Sequence, residues 1–298
     1  MKTCVIFTST TEHLLKNLKT KAENLEFIIP EKNKEGERFF PDGEIYMRLS
    51  RIKKLKGKRV IVLHSGAPNP NDGLIELKLV LQILKDHGIK PELFLTYFSY
   101  GQQDKTFELG ETNVAEGLVK KFINYYGVKK IYIIDPHFGK MEWAKKYPII
   151  SVSAVQILLD KARQDFGENI LFLSPDKGGK RRTGISGFNK KRINSYQVET
   201  FSTNINVKGK TIGVIDDLLE TGGTLSRFCE VIIKSGAKEV FALITHGVLN
   251  SGIKRIKNKY SKVYMTNTIN KKGVNVDITD LIINALESGN KIKKRHGK

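Results

Sequence analysis

Residues 214–225, VIDDLLETGGTL, contain the pattern that decides the fold. An apolar strand ends in the adjacent carboxylates Asp216 and Asp217, and a turn rich in threonine and glycine then opens a helix. In a parallel α/β sheet such a stretch lies at the carboxyl end of a strand, where ligands bind. Gly222 and Gly223 let the backbone approach an anion, and the helix N-terminus presents N–H groups to it. The stretch therefore predicts a phosphate site rather than an ordinary helix cap. The two carboxylates beside it suit the vicinal hydroxyls of a sugar, which they could bind directly or through a metal.

The rest of the chain alternates short apolar runs with helical patterns, which is typical of βαβ units and parallel sheets. Strands are predicted at residues 4–7, 25–29, 59–65, 93–98, 130–135, 170–174, 211–216, 239–245 and 262–266. Helices are predicted at residues 74–87, 112–125, 153–165, 224–235 and 278–286. The predicted fold class is therefore α/β with mainly parallel sheets.

The two halves of the chain resemble each other. Residues 56–65 read KGKRVIVLHS and residues 208–217 read KGKTIGVIDD, and each is followed by a loop, a helix and a glycine-led strand. A similarity that occurs only twice indicates an internal duplication rather than a solenoid. We expect tandem domains at residues 1–148 and 149–298, and the sequence leaves open whether the final helix packs back on the first domain.

Length and composition narrow the class of protein. With 298 residues, 40% of them apolar, the chain can form two domains with separate cores. No apolar run reaches the roughly 18 residues that span a bilayer, and the first residues lack the apolar segment of a signal peptide. Cys4 and Cys229 lie in apolar patterns without metal-ligand spacing, so we expect buried thiols. These features predict a cytoplasmic protein without a membrane partner.

The formal net charge of +20 could attract nucleic acid, acidic lipids or phosphorylated small molecules. The basic residues are spread along the chain, however, so most of them are interpreted as a solvated surface. One cluster, residues 180–182 with 190–192, lies between two phosphate-type motifs. We therefore expect a phosphorylated small molecule as the partner and no nucleic acid.

Two further polar residues follow predicted strands. His137 and Asp176 each come directly after a proline at a strand end, which favours a ligand or metal site over a place in the core. Lys190 and Arg192 lie in a polar stretch without apolar periodicity, and by themselves they would be a solvated charge run.

Several segments of the sequence resemble segments of one known enzyme family. The stretch 214–225 is similar to the ribose-phosphate loop of type I phosphoribosyltransferases and, more closely, of ribose-phosphate diphosphokinases. Further similarities to diphosphokinases occur in order at residues 39–48 (FFPDGEIYMR), 96–104 (TYFSYGQQD), 134–137 (IDPH), 174–179 (SPDKGG), 189–199 (NKKRINSYQVE) and 236–248. Simple phosphoribosyltransferases lack the motifs of the first half.

The resemblance implies two tandem domains of phosphoribosyltransferase type in an enzyme that acts as a homo-oligomer. The implied reaction is Mg²⁺-dependent transfer of the diphosphoryl group of ATP to the 1-hydroxyl of D-ribose 5-phosphate, with AMP as the second product. The implied ribose 5-phosphate site comprises Asp216, Asp217, Glu220, Thr221, Gly222, Gly223 and Thr224. The implied ATP site comprises Gln102, Gln103 and Asp104, with Phe40, Asp42 and Glu44 from a neighbouring subunit. His137 and Asp176 are the implied metal ligands, and Lys190, Arg192 and His137 are the implied catalytic residues.

The chain departs from the family pattern in three places. Gln102 stands where the family has an arginine, Glu220 stands where aspartate or serine is usual, and only 13 residues, 177–189, separate Asp176 from Lys190. The missing arginine leaves a second function open, that of a non-catalytic homologue which regulates active subunits. The sequence also leaves open a phosphoribosyltransferase that acts on a base and a nucleic-acid-binding protein.

Overall fold

The computed structural model describes residues 2–175, 189–192, 199–202 and 205–295, without the side chains of residues 189–192, 199–202 and 289–295. The chain divides into two compact units. The first consists of Met1–Val152 with Thr268–Asn270 and Thr279–Lys298, and the second consists of Ser153–Asn267 with Lys271–Ile278. Among the described residues, every helix is too short or too polar to cross a lipid bilayer.

The first unit is built on a six-stranded sheet of order β2-β1-β3-β4-β5-β6. Its strands are β1 (Thr3–Phe7), β2 (Leu25–Ile28), β3 (Arg59–Ser65), β4 (Glu92–Tyr97), β5 (Ile131–Ile134) and β6 (Ile149–Val152). All the pairs are parallel. Every residue of β1 and β5 is buried, as expected for strands of a parallel sheet that is covered on both faces.

The helices of the first unit follow local signals in the sequence. They are α1 (Leu15–Lys21), α2 (Pro70–Asp86) and α3 (Val114–Asn124), with short 3₁₀ helices at Ser9–Leu14, Ile52–Leu55 and Glu142–Lys146. Pro70 opens α2, where its missing N–H costs nothing. The side chain of Asn113 caps α3 by accepting a hydrogen bond from the backbone N–H of Glu116, 2.9 Å long.

The last helix of the chain, α7 (Thr279–Arg295), belongs to the first unit. Arg59 on β3 donates from Nη1 to the carbonyl of Leu286 on that helix, at 2.8 Å. The same guanidinium binds both carboxylate oxygens of Glu92, at 2.7 and 3.1 Å. The two side chains are only 8% and 6% exposed. Because a buried charge that loses its partner is costly, this contact fixes α7 on the sheet.

A histidine lies in the core of the first unit. His64, on β3, is 3% exposed, and its Nδ1 lies 2.9 Å from the hydroxyl of Thr8. Burial lowers the pKa of His64 to about 3, because the charged imidazolium would lose its hydration. The ring is therefore neutral in the folded protein at physiological pH.

The second unit contains a four-stranded parallel sheet and a two-stranded antiparallel ribbon. The strands are β7 (Ile170–Leu173), the ribbon strands β8 (Asn189–Arg192) and β9 (Glu199–Ser202), β10 (Thr211–Leu219), β11 (Glu239–Gly247) and β12 (Val263–Met265). The order in the parallel sheet is β12-β11-β10-β7. The helices are α4 (Val155–Phe166), α5 (Gly223–Lys234) and α6 (Asn250–Lys257).

The predicted α/β fold with parallel sheets is confirmed, and an element of the predicted type lies at each predicted position. Besides the three 3₁₀ helices, the described elements that the sequence pattern does not predict are α1, β6, α6 and the ribbon. All of them have eight residues or fewer, so each contains too few apolar positions to show a clear period.

Candidate functional site

The strand that carries the two adjacent carboxylates is longer than predicted. β10 was expected to end at Asp216 but continues to Leu219, because Leu218 and Leu219 still pair with His246 and Gly247 of β11. Asp217 is therefore buried, with 5% of its surface exposed, whereas Asp216 is half-buried. The backbone N–H of Asp217 donates to Oδ1 of Asp216 at 3.0 Å.

A tight turn joins β10 to α5. Gly222 adopts the left-handed conformation, with φ of 70° and ψ of 10°, which a residue with a side chain rarely adopts. Helix α5 begins at Gly223, and the backbone N–H of Ser226 donates to the carbonyl of Gly222 at 2.9 Å. The first N–H groups of a helix have no acceptor within the helix. The turn therefore directs backbone donors toward the place where an anion would bind.

Helix α6 packs directly against this turn through a glycine. A Cβ atom at Gly252 would lie 1.7 Å from the carbonyl oxygen of Glu220. A Cβ at Gly222 would lie 3.1 Å from the carbonyl oxygen of Gly252 and 3.1 Å from Cγ2 of Ile256. The two backbones can approach this closely only because glycine stands on both sides of the contact.

The first turn of α5 is also fixed from the core. The hydroxyl of Tyr260 donates to the carbonyl of Leu225 at 2.7 Å. Burial raises the pKa of Tyr260 well above its usual range, with smaller contributions from Cys229 and Asp216. The phenol therefore stays protonated and remains a hydrogen-bond donor to the helix.

Two arginines converge above Gly223. The position that a Cβ atom would take on Gly223 lies 3.8 Å from Nη2 of Arg227, 3.8 Å from Nη1 of Arg255 and 3.8 Å from the hydroxyl of Thr221. Arg227 follows Gly223 by four residues on α5, a spacing that places residues on the same side of a helix and could have indicated it. Arg255 lies on α6, so only the packing of that helix brings it to the loop.

In the first unit, two of the predicted segments meet at one edge of the sheet. β4 and β5 are parallel neighbours, and residues 98–104 and 135–138 follow their carboxyl ends. A Cβ at Gly101 would lie 3.6 Å from the buried ring of Phe138. Nε1 of Trp143 donates to the carbonyl of Asp104 at 3.0 Å. These contacts join the segment of the predicted nucleotide residues to the segment that carries His137.

The exposure of the predicted residues at this edge differs. His137, Gln102 and Gln103 are exposed, whereas Asp104 is buried, with 8% of its surface accessible. His137 directly follows Asp135 and a proline, and Asp135 has a positive φ of 37°. His137 is exposed although both of its neighbours, Pro136 and Phe138, are buried.

The predicted adenine-binding segment forms a small hairpin. Phe39 and Ile45 make an antiparallel bridge, and the backbone N–H of Phe40 donates to the carbonyl of Glu44 at 2.7 Å. Oδ1 of Asp42 accepts from the backbone N–H of Glu44 at 3.1 Å. The three predicted side chains, Phe40, Asp42 and Glu44, are exposed, and 44% of the phenylalanine surface is accessible.

Three predicted site residues remain, Lys190, Arg192 and Asp176. Lys190 and Arg192 lie on β8, whose backbone pairs them with Phe201 and Glu199, so the polar stretch begins as a strand rather than as a loop. Asp176 lies outside the described residues. The described part of the chain contains no group of three or more His, Cys, Asp or Glu side chains that could hold a metal ion.

The fold and the loop define the class of the second unit as a phosphoribosyltransferase-type domain: a parallel sheet whose β10 leads through a glycine turn into a helix N-terminus. Comparison with known families agrees, since the phosphoribosyl transferase domain matches residues 180–281. The N-terminal domain of ribose phosphate pyrophosphokinase matches residues 9–127.

Full-length relatives identify the family. The chain is 32% identical over 298 residues to the ribose-phosphate pyrophosphokinase of Pyrococcus furiosus, covering 95% of this chain and 100% of that protein. It is 32% identical over 243 residues to the enzyme of the same name from Thermococcus kodakarensis, covering 77% of this chain and 84% of that one. The phosphoribosylpyrophosphate synthetase structure from Mycobacterium smegmatis has the same fold, with a TM-score of 0.81, 21% identity and coverage of 98% and 99%. The chain belongs to the ribose-phosphate pyrophosphokinase family of enzymes, as the motifs predict.

Proposed function

We propose that the chain transfers the diphosphoryl group of ATP to the 1-hydroxyl of D-ribose 5-phosphate and releases AMP. The loop between β10 and α5 carries the proposal, because it combines two carboxylates with a glycine turn at a helix N-terminus. The match of the first half to the N-terminal domain of ribose phosphate pyrophosphokinase supports this reaction over phosphoribosyl transfer to a base.

In the proposed complex the sugar lies on this loop. The backbone N–H groups at the start of α5 and the hydroxyls of Thr221 and Thr224 bind the 5-phosphate. Asp216 and Asp217 accept hydrogen bonds from the vicinal hydroxyls of the ribose. Glu220 lies in the same turn and completes the proposed ribose 5-phosphate site. This arrangement orients the 1-hydroxyl toward the donor.

In the proposed reaction the 1-hydroxyl oxygen attacks the β-phosphorus of ATP in line. The bond between that phosphorus and the oxygen that bridges to the α-phosphate breaks, the bridging oxygen leaves with AMP, and the hydroxyl proton is released. Such transfers depend mainly on positioning and on neutralisation of charge. Lys190 and Arg192 are proposed to neutralise the charge that develops on the transferred group and on the leaving oxygen.

Mg²⁺ is the proposed cofactor. The described residues contain no cluster of carboxylates and histidines that could enclose a metal. Mg²⁺ usually keeps several waters and is bound by nucleotide phosphates with one or two protein ligands. His137, exposed after β5, and Asp176 would be those ligands. When bound, the ion would supply charge neutralisation at the phosphate oxygens of ATP.

The proposed ATP site uses the edge formed by Gln102, Gln103 and Asp104, completed by the hairpin of a second copy of the chain. An exposed phenylalanine followed by exposed carboxylates, as at Phe40, Asp42 and Glu44, is a surface that an adenine ring and its amino group could cover. The chain would therefore act as a homo-oligomer. Light scattering together with turnover at low protein concentration tests this, and a monomer with undiminished turnover would count against it.

One assay tests the whole proposal. Purified protein is incubated with ribose 5-phosphate, ATP and Mg²⁺, and AMP is measured by chromatography. We expect AMP only when the sugar is present, loss of the product in EDTA, and recovery in excess Mg²⁺. Asp216→Asn should abolish the reaction, whereas Asp160→Asn, the same change at an exposed position on α4, should not.

The assay also separates a second candidate. Gln102 in place of the family's arginine favours a regulatory homologue that binds active subunits without catalysis. Binding of ribose 5-phosphate with no AMP formation under any of these conditions would favour that role. AMP formation that is independent of the sugar would contradict both candidates.

A further inference from the structure

The two guanidinium groups above Gly223 surround a small volume that holds no side chain. One point in this volume, the Cβ position of Gly223, is 3.8 Å from Arg227, from Arg255 and from the Thr221 hydroxyl. The absence of a side chain at residue 223 leaves the volume open. The backbone N–H groups at the start of α5 border the same volume.

Both guanidinium groups lie at the protein surface, since Arg227 and Arg255 are exposed. Glu230 is one helical turn beyond Arg227, and the arginine helps to lower the pKa of that carboxyl. Neither Arg227 nor Arg255 makes an ion pair or a side-chain hydrogen bond with another residue in the part of the chain that the structure describes. Two guanidinium groups that approach one point repel each other, and an anion bound between them would remove this repulsion.

We propose that Arg227 and Arg255 bind the 5-phosphate of the sugar, together with the N-terminus of α5 and Thr221. The proposal rests on the proposed function, since it assigns residues to the phosphate end of the same substrate. A phosphate monoester carries a charge of roughly −1.5 to −2 at neutral pH, which a helix N-terminus with about half a positive charge cannot balance alone. Two guanidinium groups supply the missing charge and offer planar donor pairs that match phosphate oxygens.

The position of these residues also determines which step they affect. The 5-phosphate is at the opposite end of the sugar from the hydroxyl that reacts, and its charge does not change during the reaction. Contacts to it are the same in the bound substrate and in the transition state, so their loss weakens binding without slowing the bound complex. Arg227 and Arg255 therefore set the affinity and the preference for a phosphorylated sugar, and not the rate of the chemical step.

The test is direct binding of ribose 5-phosphate, measured by calorimetry on the full chain without ATP. Arg255→Gln and Arg227→Gln should each weaken binding by about tenfold to a hundredfold, the range expected for one charged hydrogen bond. Arg255→Lys should fall between the wild type and Arg255→Gln. Lys254→Gln on α6 and Lys234→Gln on α5 remove the same charge from exposed positions and should stay within about twofold of the wild type.

Gly223→Ala is a second, independent variant. Its methyl group would enter the volume at ordinary contact distances from the protein, 3.8 Å from each neighbour, so the fold should be kept. Alanine is also a better helix residue than glycine. The variant should unfold at the wild-type temperature or above it, yet bind ribose 5-phosphate at least tenfold more weakly, because the methyl group occupies the space of a phosphate oxygen.

Turnover gives a further check. In the arginine variants the KM for ribose 5-phosphate should rise while kcat stays near the wild-type value. If the wild type does not bind ribose 5-phosphate, the proposed function is wrong. If the wild type binds it and the arginine variants bind as tightly as the lysine controls, the proposed function stands and the assignment of the arginines is wrong. Wild-type affinity in Gly223→Ala would likewise overturn the assignment.

Discussion

The contact between α6 and the substrate loop gives the sharpest prediction. Gly252→Ala would place a methyl carbon 1.7 Å from the carbonyl oxygen of Glu220. A Cβ atom essentially never comes closer than 3.0 Å to a neighbouring atom. The turn must therefore move by at least about 1.3 Å. The moved residue begins the loop that is proposed to hold the sugar. The substitution is therefore expected to affect both stability and substrate use.

The expected change in the free energy of unfolding has two opposing contributions. Overpacking of this kind typically costs about 1–3 kcal/mol, and replacing glycine by alanine inside a helix returns roughly 0.5–1 kcal/mol. We expect a net loss of about 1–2 kcal/mol in the free energy of unfolding. The apparent melting temperature should fall by about 3–8 °C. A displacement of about 1 Å at a reacting centre can cost on the order of a hundredfold, so kcat/KM for ribose 5-phosphate should fall by about that factor.

A matched control is available in α3. Gly117 is also a helical glycine, but a Cβ atom there would meet nothing within 4 Å. Gly117→Ala should therefore stabilise the protein by roughly 0.5–1 kcal/mol and leave turnover unchanged. Both variants are compared by thermal unfolding and by steady-state kinetics. If Gly252→Ala were as stable and as active as Gly117→Ala, the close contact of α6 with the loop would be refuted.

Three more predictions concern charge. Lys190→Ala should lower kcat on the order of a hundredfold to a thousandfold, because the cation is proposed to act on the charge that develops in the reaction. The affinity for ribose 5-phosphate should barely change. Lys191→Ala is the control. Gln102→Arg should lower the KM for ATP by about tenfold to a hundredfold, since it restores a charged hydrogen bond to phosphate; initial rates at varied ATP measure it. His64 makes stability depend on pH: its pKa is about 3 in the folded protein and about 6.5 when unfolded. Between these values the unfolded chain binds the extra proton, so stability falls as pH decreases from 6.5 towards 3. His64→Gln should flatten this slope relative to the wild type, as measured by urea unfolding at several pH values.

Each of these predictions has an outcome that contradicts it. Equal turnover in the two lysine variants would remove Lys190 from the catalytic residues. An unchanged KM for ATP in Gln102→Arg would mean that another cation already binds the nucleotide. A slope that is the same with and without His64 would show that other groups cause the loss of stability in acid.

The sequence by itself determined where most strands and helices lie, and it predicted a substrate loop after β10. Apolar runs such as residues 59–65 and 239–245 are long enough to identify a buried strand. The two glycines at 222 and 223 predict the turn that is found there, since their effect is local to the backbone, and its approach to an anion stays a prediction. The motifs also placed the chain in its family, because the family motifs keep their order along the chain. Roles for Asp176, Lys190 and Arg192 stay predictions from that resemblance.

Tertiary structure decided the features that depend on residues far apart in the chain. Only the pairing with β11 carries β10 on to Leu219 and buries Asp217. Only the packing of α6 brings Gly252 and Arg255 to the loop, more than 20 residues away along the chain. Contacts such as the hydrogen bond from the buried guanidinium of Arg59 hold α7 on the first unit. Local patterns determine secondary structure because the residues involved are neighbours, whereas these contacts depend on how the finished elements pack, which no short stretch of sequence specifies.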